Sequence, residues 1–258
     1  FLRDLIATTT KQQKNDREGK LIGQLLGMVD QLLRGGTVKQ SGSSVQVQLG
    51  MLLDQKLIAT IAVEAGADMR QAVQRPQGAN TLKLIGLAMH NSQDRAAIYT
   101  KEGKPGLSWR VLLLPFIEQD ALYKEFRLDE PWDSEHNKKL LAKIPPVYKD
   151  HTGKAKHPYG TFYQGLYGKG AAFEGKSGLK FASFRDGLSN TMLVAEAATD
   201  VPWTKPEDLV FDSDKELPKF GSLWEGGFQV LLGDGSVRFI NNKVKKETLK
   251  LLIQRDDG

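Results

Sequence analysis

Phe228-Gln229-Val230-Leu231-Leu232-Gly233-Asp234-Gly235-Ser236-Val237-Arg238-Phe239 is the stretch whose reading decides the fold class. Phe228, Val230 and Leu232 point to one face, Gly233-Asp234-Gly235-Ser236 makes a turn, and Val237 and Phe239 return. Asp-Gly between alternating apolar residues is a strong hairpin signal. Working upstream, short apolar-aromatic runs separated by glycines begin at about Tyr148 and predict an antiparallel sheet with many turns. Thr161-Phe162-Tyr163, Leu179-Lys180-Phe181 and Thr191-Met192-Leu193-Val194 are its further strand candidates. Downstream, Leu249, Leu252 and Ile253 close the chain with a short amphipathic helix.

Helical spacing dominates before the sheet. Leu82, Ile85 and Met89 face one way and Lys83, Asn91 and Asp94 largely the other, in a helix that Asn80 can cap. Pro115 separates the apolar segment Ser108 to Leu114 from a helix expected over Phe116 to Phe126, and Pro145-Pro146 stops another expected over Asp133 to Lys143. Thr204-Lys205-Pro206-Glu207 has the spacing of a capping box and predicts a helix start.

Further upstream, Ile22, Leu25, Leu26, Val29, Leu32 and Leu33 form a helical stripe that Gly35-Gly36 ends. Val38, the Ser41-Gly42-Ser43 turn and Val45, Val47 and Leu49 predict a hairpin, and Asp54 to Ala65 a second helix. Gly66 and Pro76-Gln77-Gly78 mark a boundary. The expected organisation is a small α+β domain over 1–66, truncated at its N-terminus, a linker over 67–79, and a larger domain over 80–258. Phe1 in place of Met leads to the expectation of an excised or processed piece of a longer protein.

The 258 residues, 40% hydrophobic and 26% charged, are ordinary for a globular protein. No apolar run approaches the roughly 20 residues of a membrane-spanning helix. The absence of cysteine excludes disulfides, thiolate metal sites and cysteine nucleophiles. Thirty-six Lys and Arg against 31 Asp and Glu give a net charge of +5. These charges are interspersed rather than massed, which argues against nucleic-acid binding.

His90, His136, His151 and His157 are the histidine candidates, and none has the spacing of a zinc site. Nucleophile elbows and Walker loops are absent, and Gly165 to Gly170 lacks the helix opening that a phosphate-binding loop needs. Asp186, Ser189, Asn190 and Thr191 place four oxygen-bearing side chains around Gly187. They could hold a calcium ion, or hydrogen-bond their own turn. Asp129-Glu130, Glu207-Asp208 and Asp212 with Asp214 are local carboxylate pairs with no sign of a cleft between them. Trp109, Trp132, Trp203 and Trp224 could line a ligand groove, although core packing is their ordinary use.

Several of these residues fall into ordered motifs that resemble a known family. They are Asn80-Thr81-Leu82-Lys83-Leu84-Ile85-Gly86-Leu87-Ala88-Met89-His90-Asn91, Leu107-Ser108-Trp109 through Pro115 to Gln119, and Leu128-Asp129-Glu130-Pro131-Trp132-Asp133-Ser134. Asp186-Gly187-x-Ser189-Asn190-Thr191, Trp203 to Leu209 and Asp234-Gly235-Ser236-Val237-Arg238-Phe239 complete the set. Over residues 70 to 258 the chain resembles the domain of unknown function 1559 family, expanded chiefly in planctomycete bacteria. Many members begin with a type IV prepilin-like segment. The resemblance implies an extracytoplasmic, pseudopilin-like α+β domain with no established enzymatic activity, in a family also labelled as solute-binding.

Two departures stand out. The apolar prepilin segment expected before Asn80 is replaced by Arg70 to Ala79 and the module at 1–65. Many relatives also carry a histidine with nine residues between it and the late Asp-Gly, where this chain has Trp224. The resulting expectation is a non-enzymatic structural or interaction protein with protein partners or self-assembly and no cofactor besides a conceivable calcium. The alternative is a solute-binding module, with carbohydrate as one candidate ligand, whose pocket lies at the domain junction.

Overall fold

A computed structural model of the chain describes residues 36–41, 44–49, 55–92, 100–101, 104–174, 181–221 and 223–256. The chain divides into two compact units, Phe1–Arg70 and Gln71–Gly258. In the first, β1 (Gly36–Ser41) and β2 (Ser44–Leu49) pair antiparallel from Ser41↔Ser44 to Gly36↔Leu49, the hairpin expected from the valine alternation. The helix expected over Ile22 to Leu33 and the start at Asp54 lie outside the described residues.

Helix α1 spans Gln55–Ser92 and runs through residues 67–79 and Pro76, where the sequence suggests a linker and a break. Asn80 is therefore mid-helix rather than a cap. Proline inside a helix costs about 3 kcal/mol, because the carbonyl four residues back loses its donor. Here Pro76 faces solvent and its flanks are held from outside. Gln229 Nε2 donates to the Arg75 carbonyl (2.9 Å), the Glu225 amide to Gln71 Oε1 (3.1 Å) and Gln74 Nε2 to the His151 carbonyl (3.1 Å). Tertiary contacts override the local break.

In the second unit, β3 (Thr100–Lys101) and β4 (Lys104–Pro105) form a minimal hairpin. Five longer-range strands make the main sheet: β5 (Gly160–Tyr167), β6 (Met192–Pro202), β7 (Leu209–Val210), β8 (Gly227–Leu232) and β9 (Val237–Asn241), in the order β7-β5-β6-β8-β9. The fold class is α+β, as the sequence indicates. The sheet is mixed rather than purely antiparallel, because residues 203–208 carry the chain from β6 back to the free edge of β5, where β7 pairs parallel through Leu166↔Leu209. The β8–β9 hairpin forms as expected, with Leu231 opposite Val237 and Gly235 at φ +83° in the turn.

Helix α1 covers one face through Leu82, Ile85, Ala88 and Met89, all buried, and α4 (Lys246–Ile253) covers the other through Leu249 and Ile253. Phe228, Val230 and Leu232 share the α4 face while Leu231 faces α1, the alternation a strand requires. Gly86 permits the close crossing: a Cβ there would lie 2.8 Å from Leu231 Cδ1.

The segments between α1 and the sheet are less helical than their spacing suggests. Trp109–Leu112 forms α2, capped by Ser108 Oγ, and Leu114–Phe116 is a 3₁₀ turn with Pro115 at its start. Only Asp120–Glu125 of the expected Phe116–Phe126 helix is α-helical (α3), and Asn137–Lys143 is 3₁₀. Phe181 lies in a 3₁₀ turn rather than a strand, and Leu179 and Lys180 lie outside the described residues. Among the described residues no helix is long and apolar enough to cross a membrane.

Candidate functional site

The capping-box segment Thr204 to Glu207 forms no helix because its carbonyls are used elsewhere. Arg110 enters from α2, fully buried, and fills all its donor positions. Nε donates to the Trp203 carbonyl (3.0 Å), Nη1 to the Tyr163 carbonyl (3.0 Å) and to Asp208 Oδ1 (3.1 Å), and Nη2 to the carbonyls of Lys205 (3.0 Å) and Glu207 (3.1 Å). Asp208 Oδ1 also accepts from Trp109 Nε1 (3.0 Å) and the Gly165 amide (2.7 Å). Burial pushes the Asp208 carboxyl up, and the adjacent Arg110 charge pulls it back. The pair Glu207-Asp208 is thus split, with Asp208 inside and Glu207 outside on Lys205.

Around this pin the aromatic residues form core. Tyr148 stacks on Trp203 (6.0 Å) and meets Trp109 edge-on (6.3 Å), and Phe126 meets Trp203 edge-on. Trp132 is half-buried under Lys205 Nζ (5.7 Å). Three of the four tryptophans therefore share one region. The fourth, Trp224, lies apart from them.

The pin and its core support a groove of about 500 Å³. Leu84 and Leu87 of α1 form one wall, Phe116 and Ile117 the second, and Pro145 to Val147 the third, with His151 and Gln119 among the polar lining. Leu84 and Leu87 are 56% and 58% exposed. They belong to a solvent-facing stripe of α1, Val73, Gln77, Asn80, Leu84, Leu87 and Asn91, in which steps of four and three residues alternate.

Glu118 lines the groove with a left-handed backbone, φ 60°, alone among the described non-glycine residues. Its conformation lets the Gln119 amide reach back to the Leu114 carbonyl (3.0 Å), closing the 3₁₀ turn in the manner of a helix C-terminus where glycine is usual. A side chain at this position costs about 1 kcal/mol. A carboxylate is carried there regardless.

A second cluster sits where α1 meets β6 and β8. Glu196 is fully buried and has no ion-pair partner among the described residues. Its Oε2 accepts from Trp224 Nε1 (2.6 Å) and the Gln229 amide (2.8 Å). Burial pushes its carboxyl up to about 7.

Residues 67–213 match the family described as protein of unknown function (DUF1559). The chain belongs to this family. The matched stretch contains the groove, the Arg110–Asp208 pin and Glu196, and it ends before Trp224 and the Asp234-Gly235 turn. No curated protein and no solved structure matches the chain.

Elsewhere in this DUF1559 chain the candidate residues stay dispersed. His90 Nε2 contacts the Gly233 carbonyl (2.8 Å) and its ring stacks on Phe181 (4.3 Å); His136 Nε2 contacts the Glu125 carbonyl (2.8 Å). His151 and His157 are exposed. In the calcium-candidate segment, Asn190 Nδ2 donates to the Asp186 carbonyl (3.0 Å) and Thr191 Oγ1 to the Gly187 carbonyl (3.3 Å), while Ser189 is exposed. Gly187, at φ +89°, shapes that turn. Asp234 Oδ1 accepts from the Ser236 amide (2.9 Å), and the Ser236 side chain, with that amide, holds the Asp234 carboxyl below the usual range. Among the described residues no cluster of three or more His, Asp and Glu side chains could hold a metal ion.

Sequence reasoning missed Glu118 and Glu196. The first looks like any surface glutamate, and the second is one polar residue in an apolar run. Their shared signal is local inconsistency: a non-glycine where a turn closes, and a carboxylate inside a strand buried on both faces.

Proposed function

We propose that this chain is a non-enzymatic, extracytoplasmic structural or protein-interaction protein, with its pseudopilin-like unit offering the groove face of α1 to a protein partner or to further copies of itself. The observation that carries this reading is the apolar stripe at Leu84 and Leu87, more than half exposed beside half-buried Phe116 and Ile117. Fully burying a leucine is worth about 1.5–3 kcal/mol, so even half of that at each position drives association. The family's implied export supports the location, and the dispersal of the histidines and carboxylates supports the absence of catalysis.

The same groove supports a second reading, capture of a small solute. Its volume falls within the roughly 300–1,000 Å³ of ordinary ligand pockets, and Glu118, Gln119 and His151 offer polar groups against apolar walls. Its lining comes wholly from residues 81–151, not from a domain junction. Sedimentation of wild type and Leu84→Asp over rising concentration, paired with thermal unfolding against calcium, sugars and amino acids, separates the two readings. The interaction reading expects wild type to associate, Leu84→Asp to weaken that at least about tenfold, and no solute to move the melting point. A shift of several degrees with one solute, and no association, overturns it in favour of solute capture.

A further inference from the structure

Glu196 Oε1 and Gln229 Oε1 are both buried acceptors that receive no hydrogen bond from any of the described residues. They line the same gap: a Cβ added at Gly78 would lie 2.5 Å from Gln229 Oε1 and 3.3 Å from Glu196 Oε1. The Gln229 amide cannot simply be turned to supply a donor, because its Nε2 is engaged with the Arg75 carbonyl. Two acceptors facing one gap need a donor there, which a proton on the carboxyl supplies, and leaving such groups unsatisfied is costly. Since Oε2 of Glu196 is already saturated by Trp224 and Gln229, the open position for that proton is Oε1.

We propose that Glu196 is carried as the neutral acid, its hydroxyl directed from Oε1 toward Gln229 Oε1, and that this proton latches residues 71–78 of α1 onto the sheet. Gln229 links both halves of the latch. Its backbone amide holds Glu196, and its side chain holds the helix at Arg75. Loss of the proton to solvent places an unpaired carboxylate beside a second bare oxygen, beneath a helix segment already weakened by Pro76, and the segment lifts to let water in.

The groups facing Glu196 allow this. From α1 comes Arg75, whose guanidinium lies 3.5 Å over the Phe239 ring and reaches Glu196 only as a weaker, opposing charge. From β5 comes Tyr163, a phenol that burial and the nearby Glu196 push upward, so it stays neutral. From β8 and the turn before it come Gln229 and Trp224, both uncharged. The Gly221 amide donates to the Glu196 backbone carbonyl (2.8 Å), not to its side chain.

The direction of the pH response follows. The latched carboxyl titrates near 7 and the released one near its ordinary 4.5, so opening increases as pH rises between these values and levels off above the higher one. Hydrogen exchange of residues 71–78 in the full chain, corrected for intrinsic base catalysis, is expected to rise roughly seventyfold between pH 5 and pH 8. In Glu196→Gln, whose amide donates at every pH, it is expected to stay flat. A flat wild type, or an equal rise in the variant, overturns the latch. Should Glu196→Gln fail to fold, carboxyl-carbon NMR of wild type decides alone: a Glu196 midpoint near 7 supports the latch, and one below 5 overturns it.

Discussion

Replacing Arg110 with Met removes the guanidinium and keeps a similar apolar stem. It leaves four backbone carbonyls and Asp208 Oδ1 without a donor they now have, in a place where Arg110 is fully buried and the Asp208 side chain is 3% exposed. Breaking a buried pair by deleting one partner costs about 3–5 kcal/mol, because the remaining charge stays desolvated. For a unit of this size each kcal/mol lowers the melting temperature by about 2–4 °C, so the expected fall is roughly 6–20 °C.

The pH dependence adds a sharper check. Without Arg110 the burial of Asp208 is unopposed by its main counter-charge, and the carboxyl moves further up. The variant is stabilised by protonation while wild type is less so, and the deficit should therefore be smaller at pH 5 than at pH 8. Thermal and urea unfolding of Arg110→Met, Asp208→Asn and the double variant at both pH values measures this. The double variant, free of the stranded charge, should recover part of the loss. A deficit under about 1 kcal/mol, or a double variant no better than Arg110→Met, would refute the assignment of this pair as the pin of the fold.

Two further outcomes follow from the backbone. Glu118→Gly relieves the left-handed conformation and should raise stability by about 1 kcal/mol, or 2–4 °C, while weakening whatever the groove holds; a drop in melting temperature would show that Glu118 is held by something other than this turn. Gly168→Ala should cost about 2 kcal/mol or more, because at φ +149° the added Cβ would collide with the carbonyl of Phe211, the residue whose amide donates to the Tyr167 carbonyl (2.7 Å) at the end of β5. Unchanged urea unfolding would contradict that contact.

Features written in neighbouring residues were readable from the sequence. The β8–β9 hairpin was legible because Asp234-Gly235 and the flanking alternation act within a dozen positions, and the buried stripe of α1 because Leu82, Ile85 and Met89 repeat at helical spacing. The misread elements depend on distant partners. Pro76 sits in a helix because Gln229 and Glu225, some 150 residues away, hold its flanks, and Thr204 to Glu207 stays irregular because Arg110 takes its carbonyls. The groove could not be read at all, since its three walls come from separate segments. The family resemblance agrees with the family match over residues 67–213 but did not single out Glu118 or Glu196.

The pin also constrains the order in which the chain can fold. The five acceptors of Arg110 lie 53 to 98 residues downstream of it. While the chain is being made, Arg110 therefore remains solvated until Asp208 has emerged, and contacts of such long range slow folding. The aromatic core around Trp109 and Trp203 has the same requirement, so the second unit should gain protection late and in one step. Protease protection of nascent chains of increasing length tests this: it should appear only in chains extending beyond Asp208, and earlier protection would show that the core assembles without its arginine.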